Sequence, residues 1–563
     1  MKKNKNQGYT ILKLVLRYGI PRFNTDYPRW TKSLWEHESL SFERIKDERE
    51  TKRKKVEEWK KLKNSICQTC SQLLRSIYFS EKVTSPIRLS CLPRGLIRLS
   101  LPTWVYEYYH EDPRLWSTLL PPHLSFLNFG SGFNLSIYYP LSTTNLTHLA
   151  FGSTHRSCFN QPLFKKTLPQ KLTHLALGHS FNQPVDDLPL SLTHLTLGHM
   201  FNQPVDNLPP NLKHLILGYC FNQPLTTAGP FGKKLPPNLT HLTIGNRNNH
   251  GDFNQPVDDL PPSLTHLTLG WTFNQPVDHL PQKLTHLTLS WNFNQPLNNL
   301  PSSLTHLTLC LHFNQPVDNL PPSLTHLDLG RDFNQGVDHL PPRLTHFTLG
   351  VCFNQPLKNL PLSLTHLVVG NHFEHGAFNQ PIDDLPPLLE ELTLDHTFNQ
   401  PIDNLPEKLT RLILGFEFNQ PLKNLPSSLR HLVLDHKFNQ PVDNLPFGLT
   451  HLTFCKNFDQ PVDNLPPCLV KLKVGNGFNQ PVNNLPPCLK HFKVGKKFNH
   501  PVDKLPSTLT RLTLGDGFDQ PLFRKNLPQK LTHLTVGPNF IKYSIDDLPH
   551  SLKSFFVGTE KII

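Results

Sequence analysis

A 20-residue phrase, FNQPVDNLPPSLTHLTLG followed by two variable residues, recurs down most of this chain. It starts cleanly at Phe181 and Phe201, then runs at a fixed step from Phe253 to Phe353 and from Phe378 to Phe518. A unit this short cannot enclose a core of its own. Each must bury its apolar residues against its neighbours, which makes the chain a solenoid. The length of 563 residues therefore does not count domains, because a solenoid grows in one dimension.

The type unit opens at Phe181, counted here as position 1. Its leucines at positions 12, 15 and 17 are Leu192, Leu195 and Leu197. The last two alternate to one side, which marks a short strand, and Leu192 anchors its approach. Phe181, Val185 and Leu188 supply the rest of the expected core. The 55 prolines fall regularly, and the QP and LPP steps force extended or turning backbone, so no long helix fits between strands. The expected fold is a repeat solenoid with one short parallel strand per 20-residue unit and extended or turning returns. Stacked strands at one phase would step by about 4.8 Å. Counting each LxxLxL core from Leu96 to Leu552 gives 22 units, the first of them degenerate, as a terminal cap would be. The unit at LPHSLKSFFVG loses its His and Thr and is expected to close the other end.

Ahead of the repeats, residues 38–79 read as helix, with charge-mixed sequence, a partial apolar stripe at Leu62, Ile66, Leu73 and Leu74, and supporting pairs Glu48 with Lys52 and Glu57 with Lys61. Trp30, Trp35 and Trp59 would pack this small module. The boundaries drawn are a basic helical region at 1–85, degenerate cap repeats at 86–130 and the repeat solenoid at 131–558.

The net charge of +13 is uneven: residues 1–86 hold 20 Lys+Arg against 10 Asp+Glu, leaving only about +3 for the rest. The bulk charge is therefore no nucleic-acid footprint on the repeats, and nucleic acid is not an expected partner. No apolar run approaches the length of a membrane span, and the N-terminus lacks a signal-peptide pattern. The ten cysteines are scattered, as suits reduced thiols in an intracellular, cytoplasmic protein. Cys468 and Cys488 share a phase and are expected as two free thiols; Cys67 and Cys70 form a CxxC with no second pair. No nucleophile–base pair, phosphate loop or paired-carboxylate set appears, so neither enzymatic activity nor a cofactor is expected.

The LPPxLxxLxL wording resembles leucine-rich repeats, especially the short bacterial type without convex helices. The FNQP opening is similar to the FNIP repeat family, a leucine-rich-like repeat known from social amoebae and giant DNA viruses. The likeness spans about residues 120–558. It implies a leucine-rich-repeat-like solenoid and brings no catalytic residues. Some relatives place an F-box before the repeats and are thought to act as ubiquitin-ligase adaptors, reaching the ligase's linker protein through the N-terminus. Residues 1–60 contain no LP-x-E-I-type opening, so that reading requires a diverged F-box.

Four columns stand out. Position 14 is His at His174, His194, His214, His241, His266, His286, His306, His326, His346 and His366, and again at His431 and His451. With positions 15 and 17 inward, this ladder faces outward, on what the leucine-rich resemblance makes the concave face. It either packs against its own copies or, as an alternative, binds metal. The Asn column (Asn182, Asn202, Asn254) is expected to point inward and bond the backbone of adjacent turns. On that reading Asp459 and Asp519 weaken their units because a carboxylate cannot donate, and Gly336, in place of Pro, loosens its turn. The two positions after the strand vary most, and Tyr219, Trp271 and Trp291 there suggest exposed aromatics for a protein partner, flanked by insertions at 226–234 and 246–252. A basic patch comprises Lys471, Lys473, Lys493, Lys496, Lys497 and Arg511. The function these readings favour is an interaction scaffold that presents a long repeat surface to protein partners.

Overall fold

The computed structural model describes the strands at Leu40–Phe42 and Ser76–Phe79, and residues 92–101 without 93. It also describes 120–562, less 138–140, 142–143, 153–156, 226–234, 246–250, 371–375, 395, 524, 539 and 541–547. The described residues fall into two compact units, Met1–Leu284 and Thr285–Ile563. Each carries a parallel sheet with one three- or four-residue strand per turn, and no α-helix occurs among the described residues.

All 22 units counted in the sequence bear a strand, from Arg98–Ser100 to Ser554–Val557. Within each unit pairing is in register: His194 lies beside His214 and Leu195 beside Leu215, and in the second unit His306 lies beside His326. The register follows from the period. Equal turns bring identical residues side by side, and a one-residue slip would send every leucine to the outer face.

The core is as expected. In the type unit Phe181 and Leu192 are fully buried, and Val185, Leu188, Leu195 and Leu197 nearly so. The phenylalanines form a column of their own, with ring centroids 6.2 Å apart between Phe181 and Phe201 and again between Phe313 and Phe333. Burying one such ring is worth roughly 1.5–3 kcal/mol, and each clean repeat contributes one. The LPxxL step closes a tight turn in which the Leu192 amide donates to the Pro189 carbonyl at 3.1 Å, with the favoured Pro site next in line. Glycine follows the strand where turns pass closest: a Cβ on Gly198 would collide with the Gly178 carbonyl.

Three expectations are corrected. The helix expected over 38–79 is strand at both described ends. Leu40 pairs with Ile77, and Ser76–Phe79 pairs onward with Arg98–Ser100, so the parallel sheet begins before the expected cap. The β-branched and aromatic content of SIYF suits an added strand better than a helix. Trp30, Trp35, Trp59 and the Cys67–Cys70 pair lie outside the described residues. At the other end, Ser554–Val557 is followed by an antiparallel strand, Glu560–Lys561, whose charged side chains are exposed. This hairpin closes the last edge with charge, which discourages further strand addition.

The second correction concerns the Asn column. These side chains are half-buried or exposed, and they act through their oxygen. Asn182 Oδ1 accepts the Asn202 amide at 2.9 Å and Gln203 Nε2 at 3.2 Å. The same two bonds recur from Asn314 to Asn334 and Gln335. Because the column accepts, Asp459 serves equally: it takes the Asn479 amide at 2.8 Å and Gln480 Nε2 at 3.2 Å. A carboxylate there strengthens the bond rather than losing it. Third, the turn at Gly336 keeps its side-chain links: the Asn334 and Asn354 amides on either side are accepted at 2.9 Å as elsewhere.

Asn314→Ala should therefore lower the stability of the second unit by about 1–3 kcal/mol, because two donors lose their acceptor. Asn314→Asp should stay within about 0.5 kcal/mol of the parent at neutral pH. Urea unfolding of the three proteins checks the order; an Asp variant as weak as the Ala variant would refute it.

Candidate functional site: the outer face of the sheet

Side chains at positions 14 and 16 alternate with the buried leucines, so each strand presents them on the outer face. Position 14 forms stacked imidazole ladders. In the first unit His148, His174, His194, His214, His241 and His266 stack with centroids 4.0–4.2 Å apart. In the second, His286, His306, His326, His346 and His366 stack at 4.1–4.2 Å. Glu391 and Arg411 interrupt that run, and His431 and His451 resume it at 4.3 Å.

Where position 13 is threonine, it orients the ring that follows; Lys213, Arg430 and Lys490 stand there before His214, His431 and His491. Thr193 Oγ1 donates to the Thr173 carbonyl one turn back at 3.1 Å and lies 2.8 Å from His194 Nδ1. A hydroxyl carries one proton. With that proton committed to the carbonyl, the ring donates from Nδ1, and Nε2 keeps a lone pair at the outer edge. Thr305 and His306 repeat the pattern at 3.0 and 2.9 Å.

This geometry does not suit the metal alternative. Rings stacked face to face present their nitrogens side by side, whereas zinc needs ligands converging at about 2.0–2.1 Å. Among the described residues no group of three His, Cys, Asp or Glu is placed to hold a metal.

The ladder does resist protonation. Burial, then the charges of His148, His194 and His214, lower His174 to about 3. Burial, followed by neighbouring His and Lys213, lowers His194 and His214 to about 4. His306, His326 and His346 are lowered for the same two reasons, burial and their flanking imidazoles, and a distant Glu391 partly offsets this at His346.

The basic patch divides. Lys471, Lys473, Lys493 and Arg511 lie on strands, on the outer face. Lys496 and Lys497 sit on the turn after the strand, where Lys496 pairs with Asp516 at 3.3 Å. The aromatic edge is less open than expected. Tyr219, Trp271 and Trp291 are all half-buried, Tyr219 packs edge-on against His199 at 4.5 Å, and Trp271 and Trp291 belong to different units. Position 19 is an aromatic stack in its own right: His396, Phe416 and His436 follow one another at 4.5 and 4.4 Å. The insertions at 226–234 and 246–250 lie outside the described residues. Cys468 and Cys488 are free thiols.

Some members of these sets were overlooked in the sequence although the phase carries them. His148, His491 and His533 open strands as the other ladder residues do. Lys490, next to His491, joins the cationic face. Position 13 also escaped notice, because a threonine gives no sign by itself that it steers its neighbour.

A parallel strand on every turn, leucines at fixed spacing and turning returns define a leucine-rich-repeat-like solenoid. The FNIP repeat model matches residues 159–200, 185–220, 201–247, 253–279, 276–311, 313–352, 378–417 and 418–457. Among solved structures, the chain is similar to CroV588, described as a novel circular LRR protein, at 37% identity, covering 86% of this chain and 82% of that one, TM-score 0.65. YopM from Yersinia enterocolitica WA-314 is 20% identical, covering 91% of this chain and 100% of that one, TM-score 0.42. No curated protein matches. The chain belongs to the FNIP repeat family. No helix among the described residues is long and apolar enough to cross a membrane.

The sign of the pH dependence follows from the lowered histidines. Unfolded His titrates near 6.5, whereas folded His194 and His214 stay neutral down to about 4. Between those values the unfolded chain binds more protons, so stability present above pH 6.5 is lost progressively as pH falls toward 4. The thermal midpoint at about pH 5 should lie below that at about pH 7.5, and replacing His174, His194 and His214 by Gln should flatten the difference. An equal midpoint at both pH values would contradict it.

Proposed function

We propose that the chain is an interaction scaffold that binds protein partners through the outer face of its sheet. The observation that supports this is the separation of tasks along each strand. Position 15 is buried Leu or Phe in every clean repeat, while position 14 beside it ranges over His, Glu, Arg and Lys, and position 16 over Thr, Ile, Val, Asp and Lys. The outer positions can change without disturbing the core, so one fold can carry many different surfaces. Leucine-rich-type solenoids commonly serve protein–protein interaction. Partner identity and compartment belong to this proposal too; a cytoplasmic setting suits the free cysteines.

Crosslinking mass spectrometry in the native cell tests it. Crosslinks from a partner should map to strand positions 14 and 16 and their flanking turns. Crosslinks confined to the return segments would overturn the assignment of the face. The ubiquitin-ligase adaptor alternative falls on residues 1–60, nearly all outside the described residues, and would instead place crosslinks there with the ligase's linker protein.

A further inference from the structure

We propose that the outer face formed by Lys471, Lys473, Lys490, Lys493 and Arg511 is the docking site for an acidic segment of a partner protein. This rests on the scaffold reading and gives it a partner chemistry and a location.

Three successive strands carry the site. Lys471 pairs with His491 and His491 with Arg511 at position 14; Lys473 pairs with Lys493 at position 16. Lys490 immediately precedes its strand and donates its amide to the Val470 carbonyl at 2.9 Å. Lys471, Lys490, Lys493 and Arg511 are exposed, and Lys473 is half-buried. Beneath them Leu472, Phe492 and Leu512 are buried, so the cations stand on a fixed platform.

The charge is uncompensated. From His451 to His533 the outer positions 13, 14 and 16 hold Thr, Val, His, Lys and Arg, with no Asp or Glu. None of the five cations lies in an ion pair among the described residues, although ion pairs occur on the same surface elsewhere. Glu391, for example, meets Arg411 at 3.8 Å at position 14. The carboxylates Asp443, Asp463 and Asp503 lie on the return segments, and Asp516 on the turn after its strand pairs with Lys496 at 3.3 Å. Burial first, and then the nearby charges of Arg511, Lys471 and Lys490, hold His491 below its ordinary value. The chain's own N-terminal 86 residues carry about +10 and cannot neutralise it.

Size and composition select the occupant. Strand spacing of about 4.8 Å puts the first and third rungs about 10 Å apart, the span of three or four residues of extended peptide at about 3.3 Å each. Nucleic-acid sites spread about 6–10 phosphate contacts over a longer track, or interleave cations with aromatic rings that stack on bases. Here the only rings between the cations are imidazoles. A short run of Asp and Glu matches both the span and the charge, and such complementarity sets specificity and association rate.

Fluorescence anisotropy of a labelled decaglutamate peptide with the full chain tests the site. K471Q/K473Q/K493Q should weaken binding at least about tenfold and reduce its salt dependence. The control K52Q/R53Q/K54Q/K55Q, in the basic N-terminal segment, should change it less than about twofold. Should the triple variant melt below the parent, the pair K490Q/R511Q, both at exposed sites, must show the same ranking. Unchanged binding in the face variants, or a larger loss in the N-terminal variant, overturns the proposal. So does competition by oligo-dT or phosphatidylserine vesicles that exceeds unlabelled decaglutamate at equal charge. Failure here with partner crosslinks still on other parts of the sheet face would leave the scaffold reading standing.

Discussion

Along the clean repeats a side-chain oxygen on one turn takes the backbone amide of the next, and this small interaction sets where the next turn sits. The sheet ladders only three or four residues of each twenty, so the remaining amides need other acceptors or water. At the opening of the unit, where no ladder reaches, Asn182 holds the amide of Asn202, and Asn202 holds that of Asn222. Gln at the next position adds a second bond to the same oxygen. The Phe beside this link is buried and stacks on its copy. Hydrogen bond and ring together set the step between turns, so the strands arrive in register and the His, Thr and Lys columns line up on the outside.

The outer face is therefore a consequence of internal repetition. Where the sequence repeats His, the face becomes a neutral aromatic ribbon, braced from behind by threonines. Where it departs from His, the face acquires charge. Glu391 and Arg411 do so in opposing pairs and largely cancel, at 3.8 Å. Lys471 and Arg511, on either side of His491, do so with one sign and do not cancel. A solenoid can thus write a local message on a uniform background without altering its core.

Much of this was legible in the sequence, because periodicity reports both strand phase and facing. The core columns, the strand in every counted unit and the outward His ladder all follow from position within the unit. The failures share a physical origin: periodicity places a residue but does not say which of its atoms is used. Asn has both a donor and an acceptor, and only the geometry shows that the oxygen does the holding, which is why Asp459 fits. Likewise, the variable aromatics after the strand look exposed in one unit but are half-buried by their neighbours in the stack. Where the repeat lapses, composition misled: a charge-mixed segment read as helix ends in strands that extend the sheet.

The side-chain link between turns is tested most directly by hydrogen exchange at the Asn334 amide, whose acceptor is Asn314 Oδ1 at 2.9 Å. The amide lies outside any strand, yet it should be protected in the parent chain and in Asn314→Asp, and should exchange freely in Asn314→Ala. Free exchange in the parent, or equal protection in all three, would show that the turns are held in register by something else.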